Sequence, residues 1–196
     1  MATPGPSEDR FELVLICTGN RARSPVAEGF LRHLLADLPV RVRSLGTLEL
    51  GGAPPLPEAL EAASRVGLDL SAHRSQTLRG QELREADLVL GFELSHISAA
   101  VIDGGAPRER VFSLPELVEL LEQGSPSLDT HPLARAREAI AAADARRVAG
   151  TPPAELTDPL GRSPKFHRDT VEQVRDLSER LAIGLFGRER VRPLSS

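Results

Sequence analysis

The sequence predicts an open α/β fold: four parallel strands, helices on both faces, and an anion-binding loop after the first strand. Three observations carry this reading. Short apolar runs alternate with helix-period segments along the chain. Two of those runs, "FELVLI" and "ADLVLGF", are apolar almost throughout, as strands covered on both faces are. The first run ends in Cys17, followed by a polar loop and a helix start. Parallel strands joined through right-handed helical crossovers bind ligands beyond their carboxyl ends, where strand order reverses.

The elements follow in order. "FELVLI" (Phe11 to Ile16) is the first strand. Ser24 reads as the cap of the first helix and Pro25 as its first residue, with Val26, Phe30 and Leu34 at four-residue spacing. "VRVRSLGT" (Val40 to Thr47) alternates and stops at glycine, a second strand. "PEALEAASRVG" (Pro57 to Gly67) is a helix with a glycine stop. "ADLVLGF" (Ala86 to Phe92) is the third strand, with a helix from Ser95 to Ile102, and "RVFSL" (Arg110 to Leu114) is the fourth, with a helix from Pro115. The last helix aligns Val171, Val174, Leu177, Leu181 and Leu185 on one face.

All 196 residues fit one domain, with residues 1–10 read as a flexible tail. Residues 124–154 are read as an insertion, bounded by Gly, Pro and Ser and carrying an alanine- and arginine-rich helix with a weak apolar stripe. A mobile surface excursion is the expectation there, with a substrate lid or partner surface as the alternative; as an excursion, its removal over residues 126–152 would leave the chemistry nearly intact. A net charge of -4 gives no general pull toward nucleic acid or an acidic membrane, and the absence of Trp and Tyr removes the usual base-stacking platforms. No run reaches the roughly 18 apolar residues of a membrane span. A single cysteine makes no internal disulfide, which suits the cytoplasm. Bulk arginine, with Lys165 the sole lysine, reads as genome composition.

The loop "CTGNRARS" (Cys17 to Ser24) is where chemistry is expected. A strand-to-helix loop turns backbone N–H groups and the positive end of a helix dipole toward an anion. It is neither a Walker loop nor a dinucleotide fingerprint. The same surroundings favour the thiolate of Cys17. Arg23 offers a planar fork for two oxygens of a tetrahedral oxyanion, and Ser24 a hydrogen bond to the sulfur. A thiolate facing a cradled phosphate is an activated nucleophile.

"CTGNRARSP" resembles the phosphate loop of the low-molecular-weight protein tyrosine phosphatases, Cys, five residues, Arg, Ser. "SLGT" (Ser44 to Thr47), "LDLSAHRSQTL" (Leu68 to Leu78) and "ADLVLGF" resemble further family segments, so the likeness covers about residues 11 to 118 and 155 to 187. It implies a four-stranded parallel sheet, a phosphomonoesterase acting through phosphocysteine, and protein phosphotyrosine as substrate class. It assigns Cys17 as nucleophile, Arg23 as clamp, and Asp158, in the only Asp-Pro pair, as general acid. Thr18, Gly19, Asn20, Arg21, Ala22 and Ser24 then line the substrate phosphate. Expected partners are a phosphorylated protein or small phosphoester, with inorganic phosphate or vanadate in the loop; neither cofactor nor metal is implied. The resemblance departs at Ala22, where many members have a second cysteine, at Arg21, where Ile or Thr is usual, and at Leu160, where an aromatic often follows Asp-Pro.

Two other readings stand beside it. A related arsenate reductase would need further cysteines to relay oxidation, and a silent phosphate-binding module would have no use for Asp158. The histidines (His33, His73, His96, His131, His167) lack metal-ligand spacing and are expected at surfaces or turns, with His73 bracing the core as the exception.

Overall fold

The computed structural model describes residues 10–127 and 129–194, so all of the expected tail except Arg10 lies outside the described residues. Strands β1 (Phe11–Cys17), β2 (Val40–Gly46), β3 (Leu88–Gly91) and β4 (Val111–Ser113) form one sheet in the order β2-β1-β3-β4. All its pairings are parallel: Phe11 lies opposite Val40 and Cys17 opposite Gly46, while Leu13 to Leu15 run beside Leu88 to Leu90. The chain leaves β1 for one neighbour and returns to the other. Strand order therefore reverses at β1, and the loop that follows Cys17 sits at the switch point.

The pleat sorts β1 between two cores. Phe11, Leu13 and Leu15 join Val42, Leu88, Leu90 and Phe112 beneath α1 (Arg23–Leu34), α2 (Pro57–Arg65), α4 (Leu114–Glu122), α5 (Pro132–Ala145) and α6 (Pro164–Phe186). Val14 and Ile16 join Leu45, Val89 and Val111 beneath α3 (Leu94–Ile102) and the segment around Leu83. The 23-residue α6 is the spine of the crowded face, packing on α1, α2, α4 and α5. Phe186 near its end meets Phe11 edge-to-face, with ring centroids 5.6 Å apart.

Two expectations need correction. Residues 132–145 are a helix, but not a surface excursion. Leu133, Ala136, Ile140 and Ala143 recur at intervals of three and four and are buried in the main core. Half of that stripe is alanine, which scores as weakly apolar yet lets two helices approach closely. Arg137 Nε also donates to the buried carboxylate of Asp87 at 2.8 Å, whose second oxygen accepts from Glu12 N, tying α5 to the sheet. The second correction concerns α1, which begins at Arg23 with Ala22 as its cap residue and no capping side chain. The Ser24 hydroxyl is turned instead toward the loop.

Candidate active site

Strand pairing runs past the ends of β1 and β2: Thr47 N donates to Cys17 O (3.0 Å) and Leu48 N to Thr18 O (2.9 Å). The close approach requires a glycine at the end of β2. A Cβ on Gly46 would lie 3.0 Å from the Gly19 carbonyl carbon and 3.1 Å from Asn20 Cβ. Just beyond, Asn20 adopts φ +51°, a left-handed conformation that costs a non-glycine residue about 1 kcal/mol or more. Four hydrogen bonds hold it there. Its Nδ2 donates to Ser44 Oγ (2.7 Å) and Ser24 Oγ (2.9 Å), its Oδ1 accepts from Gln76 N (2.8 Å), and its carbonyl meets His73 Nε2 at 2.8 Å. The Ser44 hydroxyl in turn donates a hydrogen bond to Glu28 Oε2 at 2.6 Å. The Ser24 oxygen accepts from Asn20 and lies 3.0 Å from the sulfur of Cys17 and 3.4 Å from Leu45 O; toward a Cys17 thiolate, which has no proton to give, the hydroxyl is the donor. Among the described residues, the amides of Gly19 to Arg23 donate to no group of the chain. Together with the uncapped start of α1 they form a cradle for an anion.

Arg23 closes the other side of the loop, with a side chain only 1% exposed. Its NH1 donates to Leu156 O (2.8 Å) and lies 3.3 Å from Glu93 Oε2. Its NH2 donates to Thr18 Oγ1 (3.2 Å) and to Asp158 Oδ2 (2.5 Å). The aromatic face of Phe92 lies beneath the guanidinium, 5.7 Å from its carbon. The free fork expected from the sequence is thus already engaged by the chain's own carboxylates.

The Asp158 loop is laced to the sheet by its backbone: Leu156 N donates to Phe92 O at 2.8 Å, and Ser113 Oγ bonds Ala154 O. Asp158 Oδ1 accepts from Leu160 N, 2.9 Å away, a turn that fixes the carboxylate beside Pro159.

Most of the site residues singled out from the sequence fall in one place. Cys17, Thr18, Gly19, Asn20, Ala22, Arg23 and Ser24 build the loop, and Asp158 reaches Arg23 across 135 residues of chain. Arg21 is displaced to the rim, where its Nε donates to Pro54 O at 2.6 Å. His73 braces the loop rather than the core. His33 and His131 are exposed, but His96 and His167 are buried, against expectation. His96 lies at the site: its Nδ1 accepts from Phe92 N and Glu93 N, and its Nε2 meets Thr18 Oγ1 at 3.1 Å. Burial, followed by the charge of Arg23, pushes its pKa down to about 4, against a smaller pull from Asp158. Gly91 makes this placement possible, because a Cβ there would stand 2.9 Å from that of His96. Glu93 and His96 carried no motif of their own. The sole sequence signal was their position just after a buried strand that ends at the switch point.

Apart from Arg21, the rim is aliphatic. Leu48 (51% exposed) and Leu50 follow β2 beside the loop, Leu94 opens α3, and Leu160 (64% exposed) follows Asp158-Pro159.

Comparison with known proteins agrees with this architecture. A sequence model of the family described as low molecular weight phosphotyrosine protein phosphatase matches residues 12–139. The probable low molecular weight protein-tyrosine-phosphatase EpsP of Ralstonia solanacearum is 41% identical over 78 residues, 40% of this chain and 52% of that protein. The chain thus spans about half the length of such curated relatives. The protein-arginine-phosphatase of Bacillus subtilis is 33% identical over 110 residues, 55% of this chain and 73% of that one. Among solved structures, a cysteine-to-serine variant of the YwlE arginine phosphatase, with a phosphorylated active-site serine, superposes with a TM-score of 0.67. It is 25% identical and covers 92% of this chain and 99% of that one. With the cysteine loop at the switch point and a family match over most of its sheet, the chain belongs to the low molecular weight phosphotyrosine protein phosphatase family.

Proposed function

We propose that the protein hydrolyses phosphomonoesters, protein phosphotyrosine foremost, through a phosphocysteine intermediate. One observation carries this: Cys17, Arg23 and Asp158 converge, with Asp158 Oδ2 2.5 Å from Arg23 NH2 and Ser24 Oγ 3.0 Å from the sulfur. Binding alone has no need of the carboxylate. A thiol-relay reductase would need a second cysteine, and these 196 residues hold one.

The chemistry follows from the groups in place. The substrate phosphate seats on the amides of residues 19–23 and on Arg23, where its charge competes with Asp158 for NH2 and frees the carboxyl to turn to the leaving oxygen. The Cys17 thiolate attacks phosphorus; an S–P bond forms as the P–O bond breaks, and Asp158, released from Arg23 and protonated from solvent, gives its proton to the departing alcohol. Water then attacks the phosphocysteine, Asp158 takes its proton, and the S–P bond breaks to return the thiolate and release phosphate. Ser24, donating to sulfur, stabilises the thiolate as a leaving group in that second step. The phosphorylated active-site serine of the YwlE variant supports a phosphoryl group carried on the side chain at this position in the family.

The aliphatic rim of Leu48, Leu50, Leu94 and Leu160 suits the apolar body of an aryl phosphate. Among the described residues no helix is long and apolar enough to cross a membrane. The free thiol on which the chemistry depends favours a reducing compartment, the cytoplasm. Hydrolysis of an aryl phosphate by the parent protein and by Cys17→Ser tests the reading. Turnover by the parent and its loss in the variant, with vanadate binding retained, is the expected result; turnover within about tenfold of the parent would overturn the nucleophile assignment.

A further inference from the structure

The hydroxyl of Thr18 receives two hydrogen bonds and gives none among the described residues. His96 supplies the first. Its Nδ1 accepts from the backbone N–H groups of Phe92 (3.3 Å) and Glu93 (3.1 Å), which places the ring proton on Nε2. That proton is donated to Thr18 Oγ1 at 3.1 Å. Arg23 NH2 supplies the second at 3.2 Å. An sp³ hydroxyl oxygen accepting twice has both lone pairs engaged, and its own proton is left one direction. Among the described residues no acceptor takes it. The same NH2 group faces Asp158, at the position where a seated phosphoryl oxygen would replace the carboxylate.

We infer that the Thr18 hydroxyl is a further substrate-binding group, donating its proton to an oxygen of the phosphoryl group held by Arg23, and that His96 is the positioning residue that orients it. The inference rests on the phosphatase reading of the site and extends it by one side-chain donor beyond the loop amides. Among the described residues no hydrogen bond links Thr18 Oγ1 to the Cys17 sulfur, whose side-chain partner is Ser24 Oγ at 3.0 Å. The ring of His96 works here as a neutral donor with a fixed tautomer. Its burial keeps it so, and the charged groups that face it are Arg23, Glu93 and Asp158.

The experiment uses the full chain, an aryl phosphate as substrate, orthovanadate as inhibitor, and the pH profile of Cys17 alkylation by iodoacetamide as a separate readout of the sulfur. Thr18→Val, which keeps the shape and removes the hydroxyl, raises the vanadate inhibition constant and lowers kcat/KM, each about tenfold, and leaves the alkylation profile unmoved. Thr18→Ser recovers most of both. His96→Leu moves the two constants in the same direction, and His96→Gln, whose amide can donate to Thr18, recovers them; circular dichroism establishes that each variant is folded. Vanadate inhibition of Thr18→Val within about twofold of the parent overturns the inference, as does a shifted alkylation profile, which would assign the proton to sulfur. His96→Gln no better than a folded His96→Leu reduces His96 to packing and overturns its positioning role. A parent protein that neither hydrolyses the ester nor binds vanadate overturns the phosphatase reading itself, an outcome visible before any variant is made.

Discussion

Residues 17–24 keep their shape through polar contacts, whereas residues 132–145 keep theirs through small apolar ones. In the loop, Asn20 spends its whole side chain and its carbonyl on four hydrogen bonds, and Arg23 binds two carbonyl or hydroxyl oxygens and two carboxylates. In α5, Leu133, Ala136, Ile140 and Ala143 fill the core under α4 and α6, and Arg137 reaches across to Asp87 at the start of β3. The difference separates two kinds of requirement. A loop fixed by directional bonds holds donors to within a few tenths of an ångström, which catalysis needs. A helix fixed by burial supplies stability and tolerates small shifts. Substitutions in the two regions should accordingly damage different observables.

The largest expected effect is on chemistry. Arg23→Lys removes the planar fork shared by Leu156, Glu93, Thr18 and Asp158, and kcat/KM for an aryl phosphate falls on the order of a thousandfold. Thermal melting measured alongside separates that loss from unfolding. Asp158→Asn lowers kcat by about a hundredfold for substrates with basic leaving groups and far less for those with acidic ones, a contrast read from a leaving-group series. Uniform slowing across the series would make Asp158 a mere partner of Arg23.

In α5 the order inverts. Ile140→Ala lowers unfolding free energy by about 2–4 kcal/mol in a denaturant titration while kcat stays near its parent value. A variant that kept its stability and lost turnover would place α5 in the site. By the same reasoning, deleting residues 126–152 strips the core of four buried residues and unfolds the protein.

The remaining effect is one of pH. The pKa of His96 in the fold is about 4, below its ordinary 6.5, with Arg23, Glu93 and Asp158 around it. Protons therefore bind the unfolded chain more readily between those values. Its contribution is complete above pH 6.5 and is lost as the pH falls toward 4, on the order of 3 kcal/mol in all. His96→Gln should flatten that part of an acid stability curve; an unchanged slope would assign the acid limb to other groups.

The sheet and the cysteine loop were legible because both leave local marks. Apolar runs signal the strands, and a cysteine followed by Gly-Asn and Arg-Ser signals the loop. Asp158 was legible only through the family resemblance, since an Asp-Pro pair by itself says nothing of an arginine 135 residues away. His96 and Glu93 left no such mark, because their roles come from the turn after β3 and from Gly91 allowing α3 close to the strand. The α5 core stripe hid behind alanines, whose apolar weight is small and whose value lies in close packing. The start of α1 was misplaced by one cap. Ser24 has the composition of a capping residue, but its hydroxyl is committed to Cys17 and Asn20.

The central claim is that Cys17 carries the phosphoryl group during turnover. Rapid acid quench of the parent and of Asp158→Asn during hydrolysis of an aryl phosphate, followed by peptide mass spectrometry, measures this directly. The predicted result is phosphate on the Cys17 peptide alone, absent in Cys17→Ala and longer-lived in Asp158→Asn, where water lacks its base. Full turnover with no phosphorylated Cys17 in either protein would contradict it and point to direct attack by water.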